Sequence, residues 1–567
     1  MRPTSEPQVR LCPYKMQSII RSRPQLTVIA AAAGLALLLA WFSSGFNGLE
    51  GWFPFLLLIF LATGMGAGLF RLLRPEDPPP WIIRLTVGAA GLRLAAGVAW
   101  FILLPAAGYD TDVQNAGYVM EDAFRRDTAA WELAESGIPL WGAFRESELG
   151  NPRSADQYGG YLFLSAAVYR YTGAGMHQPL LVVVLSAGIS ALAVPLGWVL
   201  ARRLFGERPA RWTAWGLALF PEAVLLGSSQ MREALVMPLA AAAVYGLVVF
   251  HGRRDGELRA GLWWMFVPLL ILLPISPPYA GILVALLGLI GLGLSPATAP
   301  LGTPRSGSGA SGRRTLRSWR LWLVLGGLAV LVVTIFSLGW EGIAPRLDAE
   351  EFASPIEMAR SWFELSARWQ ARQTEGASGW IQRIFESTPE WFDLPFLVLY
   401  GVTRPLLPAQ LTAFSVPVWW AIGVWRSLGW TLLLIPLLVA PLQWIRSADR
   451  RGPLAGFAAA AWAGILIASF WGGGDMWDNP RYRVAFVVVQ IVLAARVAVA
   501  QLERPDPWMR RAAIVGLTVP VWFLFWYLRR YTAFDQIVGW TVIDIFKLLG
   551  AGVFSGVLLA VWDWAKG

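Results

Sequence analysis

The chain is almost without cysteine: among its 567 residues only Cys12 carries a thiol. A single cysteine excludes an internal disulfide and a Cys-built zinc or iron–sulfur site. Histidine is nearly as scarce, His177 and His251 being the whole supply, so a His-rich metal site is excluded as well. A metal would have to be held mainly by carboxylates, the donors that suit Mg²⁺, Mn²⁺ or Ca²⁺. Charge is thin too: Asp, Glu, Lys and Arg make up 15% of the chain against 56% hydrophobic residues, too little to cover a soluble surface. Short segments of strictly alternating polarity, the mark of a transmembrane β-barrel, are missing. The arginines near the N-terminus are followed by an apolar run with no A-x-A-like cleavage site, so that run reads as a retained first helix.

What the chain does have is apolar length. Mean hydropathy is +0.51, and apolar runs recur at 26–44, 52–73, 84–106, 178–200, 212–230, 231–250, 262–275, 278–296, 320–340, 428–446, 454–471, 484–501, 512–528 and 538–560. Each is close to what a helix needs to cross a hydrocarbon layer of ~30 Å. The expectation is an all-α polytopic membrane protein with about 14 transmembrane helices. The connections "RLLRPEDPPP", "ARRLFGERPARW", "HGRRDGELRA", "IRSADRRG" and "ERPDPWMRRA" are rich in arginine. They predict cytoplasmic loops and cytoplasmic termini in a cell membrane. Two long connections, 108–177 and 341–393, each hold 10 acidic and 5 basic residues and are expected outside. The formal charge of +10 therefore reports topology, and nucleic acid is not an expected partner. The expected organisation is an N-terminal segment with two extra helices (1–80), a core with the first outer loop (81–295), a Pro/Gly/Ser-rich flexible cytoplasmic linker (296–319), and C-terminal helices with a second outer loop at 341–411 (320–567).

The chemistry-bearing residues gather on the expected outer face. "GYDTDVQNAGYVMED" brings Asp110, Asp112, Glu121 and Asp122 together where the chain leaves an apolar run. A carboxylate there can serve as a general base or metal ligand; it can equally cap a helix, and Asp122 can pair with Arg125 or Arg126. Arg232 in "GSSQMREAL", Arg404 in "TRPL", and Arg481 and Arg483 in "GGGDMWDNPRYRVAF" stand beside outer helix ends, against the positive-inside bias, so each needs a partner. Arginine suits phosphate; the alternative partners are lipid headgroups or Glu222, Asp475 and Asp478. Tyr279, after the Pro-broken "LLPISPPYAG", is either a phosphate ligand or an aromatic-belt residue. Helices lying in the interface are expected at 158–173, 354–373 and 396–411.

Several stretches resemble GT-C-type membrane glycosyltransferases, the group that includes dolichyl-phosphate-mannose–protein mannosyltransferases and aminoarabinose transferases. "EDAFRRDTAAWELAESG" is similar to their first outer loop, with Asp122 on the catalytic acid. "DQYGGYLFLSAAVYRYTG" is similar to the interfacial segment that follows. "ARRLFGERPARWTAWGLALFPEAVLLGSSQMREAL" resembles the next helix pair, and "NPRYRVAFVVVQIVLAA" a late helix start. The resemblance covers roughly 84–500. The sequence departs from the pattern where Glu121-Asp122 replaces a D-E pair, "DQYGG" replaces H-P-P, and "SPPY" replaces RPY.

The resemblance implies an inverting transfer of a sugar from a polyprenyl-phosphate-linked donor to a protein, lipid or glycan acceptor outside the cytoplasm. Asp122 and Glu121 would be catalytic. Asp110 and Asp112 would orient the acceptor or hold a divalent cation such as Mg²⁺ or Mn²⁺. Arg232, Arg404, Arg481, Arg483 and Tyr279 would bind the donor phosphate. Other readings are a transporter or lipid flippase, which would show internal repeats and sites at mid-membrane, and an oligosaccharide polymerase or ligase.

Overall fold

A computed structural model of the chain describes residues 14–144, 158–173, 175–252, 257–294, 379–413, 415–446, 452–473, 475, 478–531 and 545–566, with isolated positions 326, 327, 330, 337 and 357. The linker 296–319, the apolar run 320–340 and the helix expected at 354–373 lie outside the described residues, apart from those isolated positions. The described residues form helices and turns and no strand. Backbone polar groups inside a bilayer must be satisfied within the segment, which leaves the helix as the spanning element of such a chain.

Among the described residues, eleven helices are long and apolar enough to cross a membrane. The first three are α1 (Tyr14–Ser43), α2 (Trp52–Leu72) and α3 (Pro80–Ala107). After α4 (Asp112–Asn115), α5 (Glu121–Glu135) and α6 (Gly160–Thr172), all too short to span, α7 (Leu180–Ala191) and α8 (Ala193–Phe205) run together as one crossing. Next come α9 (Glu207–Leu219), α10 (Pro221–Gly227), α11 (Glu233–Phe250), α12 (Glu257–Ile275) and α13 (Pro277–Leu294). The second half holds α14 (Gly379–Ser387), α15 (Glu390–Thr403), α16 (Leu407–Thr412), α17 (Pro417–Arg446) and α18 (Pro453–Gly472). It ends with α19 (Asp478–Val484), α20 (Val487–Glu503), α21 (Pro507–Tyr531) and α22 (Ile545–Lys566). The protein is an all-α polytopic membrane protein. The most enclosed crossings are α11 and α7–α8, with 94% and 83% of their spanning windows buried, so the bundle is built around them. At 17–22% buried, α1, α2, α21 and α22 lie at the periphery.

Two expected spans are broken. The run 212–230 is two short helices, α9 and α10, meeting at Phe220–Pro221. Proline has no N–H, so the carbonyl of Leu217 loses its helical donor. Arg93 on α3, fully buried, supplies the replacement: its guanidinium donates to Leu217 O at 2.9 Å, to Ala223 O at 3.3 Å and to Ala89 O at 3.1 Å. Gly227 makes room for it, since a Cβ there would stand 2.7 Å from Arg93 Cδ and 2.5 Å from Ser190 Oγ. The run 484–501 is the end of another broken pair, α19 and α20, bent by 79°. The expected span 428–446 begins earlier, at Pro417, and the short run 262–275 extends back to Glu257.

The bundle has two polar ends. At one, Arg203 pairs with Glu76 and Glu257, Arg208 with Glu503, Arg446 with Asp506, and Arg510 with Asp563. At the other lie α4, α5, α6, the turn between α10 and α11, and α19. Trp419 at the start of α17 donates to Gln114 there at 2.8 Å. The first end is basic; the second collects the carboxylates singled out above.

Candidate functional site

Three breaks in the helical pattern converge at the acidic end. The first is the turn 228–232, where α10 gives way to α11. It is tied to three neighbours: Trp100 Nε1 donates to Ser228 Oγ (3.0 Å), Arg126 to Gln230 O (3.2 Å), and Gln230 Nε2 to Pro179 O (2.9 Å). This fixes Arg232 and Glu233 at the mouth of α11, where a carboxylate in the first turn is favoured by the helix dipole. The second is α5, whose first turn carries Glu121 and Asp122. The third is α19, largely buried, which meets α20 at a bend of 79°. Asn479 holds α19 down, donating to Gly401 O (2.9 Å) and Gly473 O (2.7 Å).

At their meeting point Arg481 joins carboxylates from all three. Its guanidinium lies 2.7 Å from Asp122, 3.0 Å from Glu233 and 3.4 Å from Asp478. Glu233 is fully buried, and Tyr279 on α13 contacts its Oε1 at 3.4 Å while its Oε2 has no hydrogen-bond partner. Arg232, also buried, stands 3.8 Å from Glu233 and over the rings of Tyr158 (5.3 Å) and Tyr279 (5.8 Å), with Nε lacking a hydrogen bond. The glycines after Tyr158 allow this: Gly159 takes φ +78°, and a Cβ on Gly160 would meet Pro274 O at 2.3 Å, so only this pair lets α6 close against the end of α12. Asp122 and Asp478 are the open members, their side chains 43% and 47% exposed, and Asp122 is the one carried by α5. Burial opposes its ionisation, but Arg481, Arg126 and Arg232 outweigh that and hold its carboxyl below the ordinary carboxylate range.

Beneath α5 a second network holds the helix in place. The buried Asp127 carboxylate accepts from Tyr118 (2.6 Å) and Tyr169 (2.8 Å), and His177 Nε2 lies 3.0 Å away, its ring stacked on Trp131. Burial and the neighbouring Asp127 push both tyrosine hydroxyls well above their ordinary value, so they remain donors. Arg170 on α6 donates to Leu133 O and Ala134 O (3.2 Å), satisfying carbonyls in the last turn of α5, and to Ile138 O (2.6 Å) just beyond it.

Of the residues expected at the site, the structure therefore brings together Asp122, Arg232, Arg481 and Tyr279. Glu121 points elsewhere, pairing with Arg125 one turn along the helix surface. Asp110 accepts from Asn115 at 2.9 Å, and Asp112 opens α4, exposed. Among the described residues no three His, Cys, Asp or Glu side chains gather as a metal site. Arg404 and Arg483 belong to a separate group. Arg483 Nη2 donates to Arg404 O (2.6 Å) and the guanidinium lies 3.4 Å over Trp430; Arg404 lies 4.4 Å over Tyr400. Next to them Arg426 holds Glu222 in a buried bidentate pair, at 2.8 and 2.5 Å. The sequence places Glu233 next to Arg232 at a helix start, a usable signal, but Glu233 was not among the residues expected at the site. Asp127 with His177, and Glu222 with Arg426, are 50 and 204 positions apart and carry no local signal.

No family model matches the chain, and no curated protein matches it. Among solved structures, the archaeal oligosaccharyltransferase AglB from Archaeoglobus fulgidus, in complex with an inhibitory peptide and a dolichol-phosphate, has TM-score 0.41 and 13% identity over 85% of this chain. This chain spans 55% of that one. ArnT from Cupriavidus metallidurans, bound to undecaprenyl phosphate, has TM-score 0.30 and 15% identity over 75% of this chain and 79% of its own.

Proposed function

We propose that the protein is a membrane glycosyltransferase that moves a sugar from a polyprenyl-phosphate-linked donor to an acceptor hydroxyl, with inversion, at the acidic end of the bundle. The observation that carries this reading is the half-exposed Asp122 carboxylate bound to the buried Arg481, beside a second buried arginine, Arg232, whose Nε makes no hydrogen bond and lies 3.8 Å from Glu233. A base and two cations at one membrane-surface position match a reaction that releases a phosphate as an acceptor loses a proton.

The acceptor oxygen forms a bond to the anomeric carbon from the face opposite the phosphate. The carbon–oxygen bond to the phosphate breaks, the hydroxyl proton passes to Asp122, and polyprenyl phosphate leaves. Arg481 and Arg232, with the Tyr279 hydroxyl, would receive the charge that develops on that phosphate. A carboxylate held below its ordinary pKa is ionised throughout the neutral range, though a weak base. It suits a late proton transfer, when the attacking oxygen is largely bonded to carbon and its proton has become acidic. Glu233 would keep Arg481 in place between the acceptor and donor sides. A divalent cation has no assembled carboxylate cage among the described residues, and the steps above run on the chain's own groups.

The basic end, with Arg202, Arg203, Arg208, Arg211, Arg446 and Arg510, supports a cytoplasmic assignment for that end and an extracytoplasmic site. The test is transfer in proteoliposomes. Polyprenyl-phosphate donors carrying radiolabelled sugars are supplied, and release of the lipid phosphate is followed for the native protein and Asp122→Asn. Donor consumption by the native protein and its loss in the variant support the reading. Labelled lipid crossing the bilayer without donor consumption would make the protein a transporter.

A further inference from the structure

At the opposite end from Asp122, a groove of about 920 Å³ lies between α9, α17, α20 and α21. It runs from Arg211 and Arg510 at the basic end to Phe220 and Gly429 deeper in the bundle. From Arg211 to Phe220 the helix rises roughly 13 Å at ~1.5 Å per residue, close to the depth of one leaflet of a ~30 Å hydrocarbon layer. Trp212, Trp215 and Leu432 on its rims are 52%, 53% and 62% exposed, so the groove opens sideways to the lipid. Its lining is apolar except at the basic mouth, where Arg211 and Arg510 are the charged residues and no carboxylate takes part.

These two arginines are held only at the surface. Arg211 pairs with Glu207 at 3.2 Å and Arg510 with Asp563 at 2.6 Å, with the arginine side chains 63% and 57% exposed. Exposed pairs of this kind contribute little and yield readily to a better anion. A phosphate offers arginine bidentate contacts, and basic pockets between spanning helices suit anionic lipid headgroups.

We propose that this groove binds an anionic glycerophospholipid of the basic-end leaflet, its acyl chains against α9, α17 and α20 and its phosphate between Arg211 and Arg510. The occupant is a phospholipid rather than the sugar donor because the cations at the groove mouth lie at the wrong end of the bundle. A donor with its phosphate there would hold its sugar away from Asp122.

The experiment uses the full-length protein, delipidated in detergent and titrated with phosphatidylglycerol or phosphatidylcholine of identical acyl chains. Bound lipid is counted by native mass spectrometry, and thermal unfolding is recorded in parallel. Phosphatidylglycerol should be retained roughly 10-fold or more tightly than phosphatidylcholine. The Arg211→Gln/Arg510→Gln double variant should bring the two lipids level, and Arg211→Lys/Arg510→Lys should keep most of the preference. Ala498→Trp, filling the apolar part, should reduce both lipids. Equal retention of the two lipids by the native protein would overturn the proposal, as would an undiminished preference in the double glutamine variant. Displacement of phosphatidylglycerol by polyprenyl phosphate, lost in the same variant, would assign the groove to the donor instead.

Discussion

Arg481 and Arg483 stand two positions apart on one short helix, α19, and live in opposite surroundings. At about 100° of turn per residue they leave the helix in nearly opposite directions. Arg481 turns toward α5 and α11 and is met by carboxylates, one of which, Asp122, is 43% exposed. Arg483 turns toward α15 and α17, is 3% exposed, and rests on the face of Trp430 with one nitrogen lacking a hydrogen bond. The carboxylate beside it, Glu222, is already taken by Arg426. A charge balanced by a group that water can reach can exchange partners when a ligand arrives. A charge balanced by a ring and a backbone carbonyl cannot, so the second region serves to hold the helices, and the first is the one proposed to act on substrate.

Two substitutions should separate these roles most sharply. Asp122→Asn should lower transfer by roughly 10²–10⁴-fold, the usual contribution of a positioned base. Thermal unfolding of the purified protein should hardly change, because the lost pair is partly solvated. Glu222→Gln should do the reverse: both partners of its pair are under 5% exposed, and taking the carboxylate from the buried Arg426 should cost about 3–5 kcal/mol. The readout is the yield of monodisperse protein and its unfolding temperature. A stable Glu222→Gln protein with impaired turnover, or an unfolded Asp122→Asn protein, would break the division between the two regions.

Much of this arrangement could be read from residue types, and the rest could not, for physical reasons. Apolar length fixes most crossings because the bilayer sets it. It misjudged 212–230 and 484–501, where proline or a sharp bend interrupts a run whose composition stays apolar. Asp122, Arg232, Arg481 and Tyr279 were legible as charges or hydroxyls beside outer helix ends. Arg404 and Arg483 carry the same signature and point elsewhere, since composition does not say which face of a seven-residue helix meets which neighbour. Asp110 and Asp112 looked like ligands because they are close in sequence; in the structure Asp110 accepts from Asn115 across α4, and Asp112 opens that helix, exposed. Partners such as Asp127 and His177 are joined only by the folding of α5 against α6 and α7.

A smaller effect tests the second region alone. Arg483→Lys keeps the charge but not the flat guanidinium that covers Trp430 while also donating to Arg404 O. Loss of a desolvated cation–π contact should cost about 1–2 kcal/mol, seen as a lower unfolding temperature with kcat/KM unchanged once the protein is folded. A fall in kcat/KM with no thermal change would move Arg483 into the reactive region.

The finest test is the pH dependence of Asp122. Its carboxyl is depressed in the folded protein by Arg481, Arg126 and Arg232 acting against burial. A depressed group contributes stability that is present above its unfolded value, about 4, and is lost as pH falls through the folded value. At 43% exposure solvent screens most of that contribution, so activity is the better readout. The acid limb of kcat/KM for the native protein should lie below about pH 4. Arg126→Gln keeps a donor for Gln230 O but removes one of the depressing charges. It should move the limb upward, with the neutral-pH rate little changed. An unmoved or lowered limb would mean that the group titrating in the reaction is not Asp122, and the contrast between the two arginines would lose its chemical half.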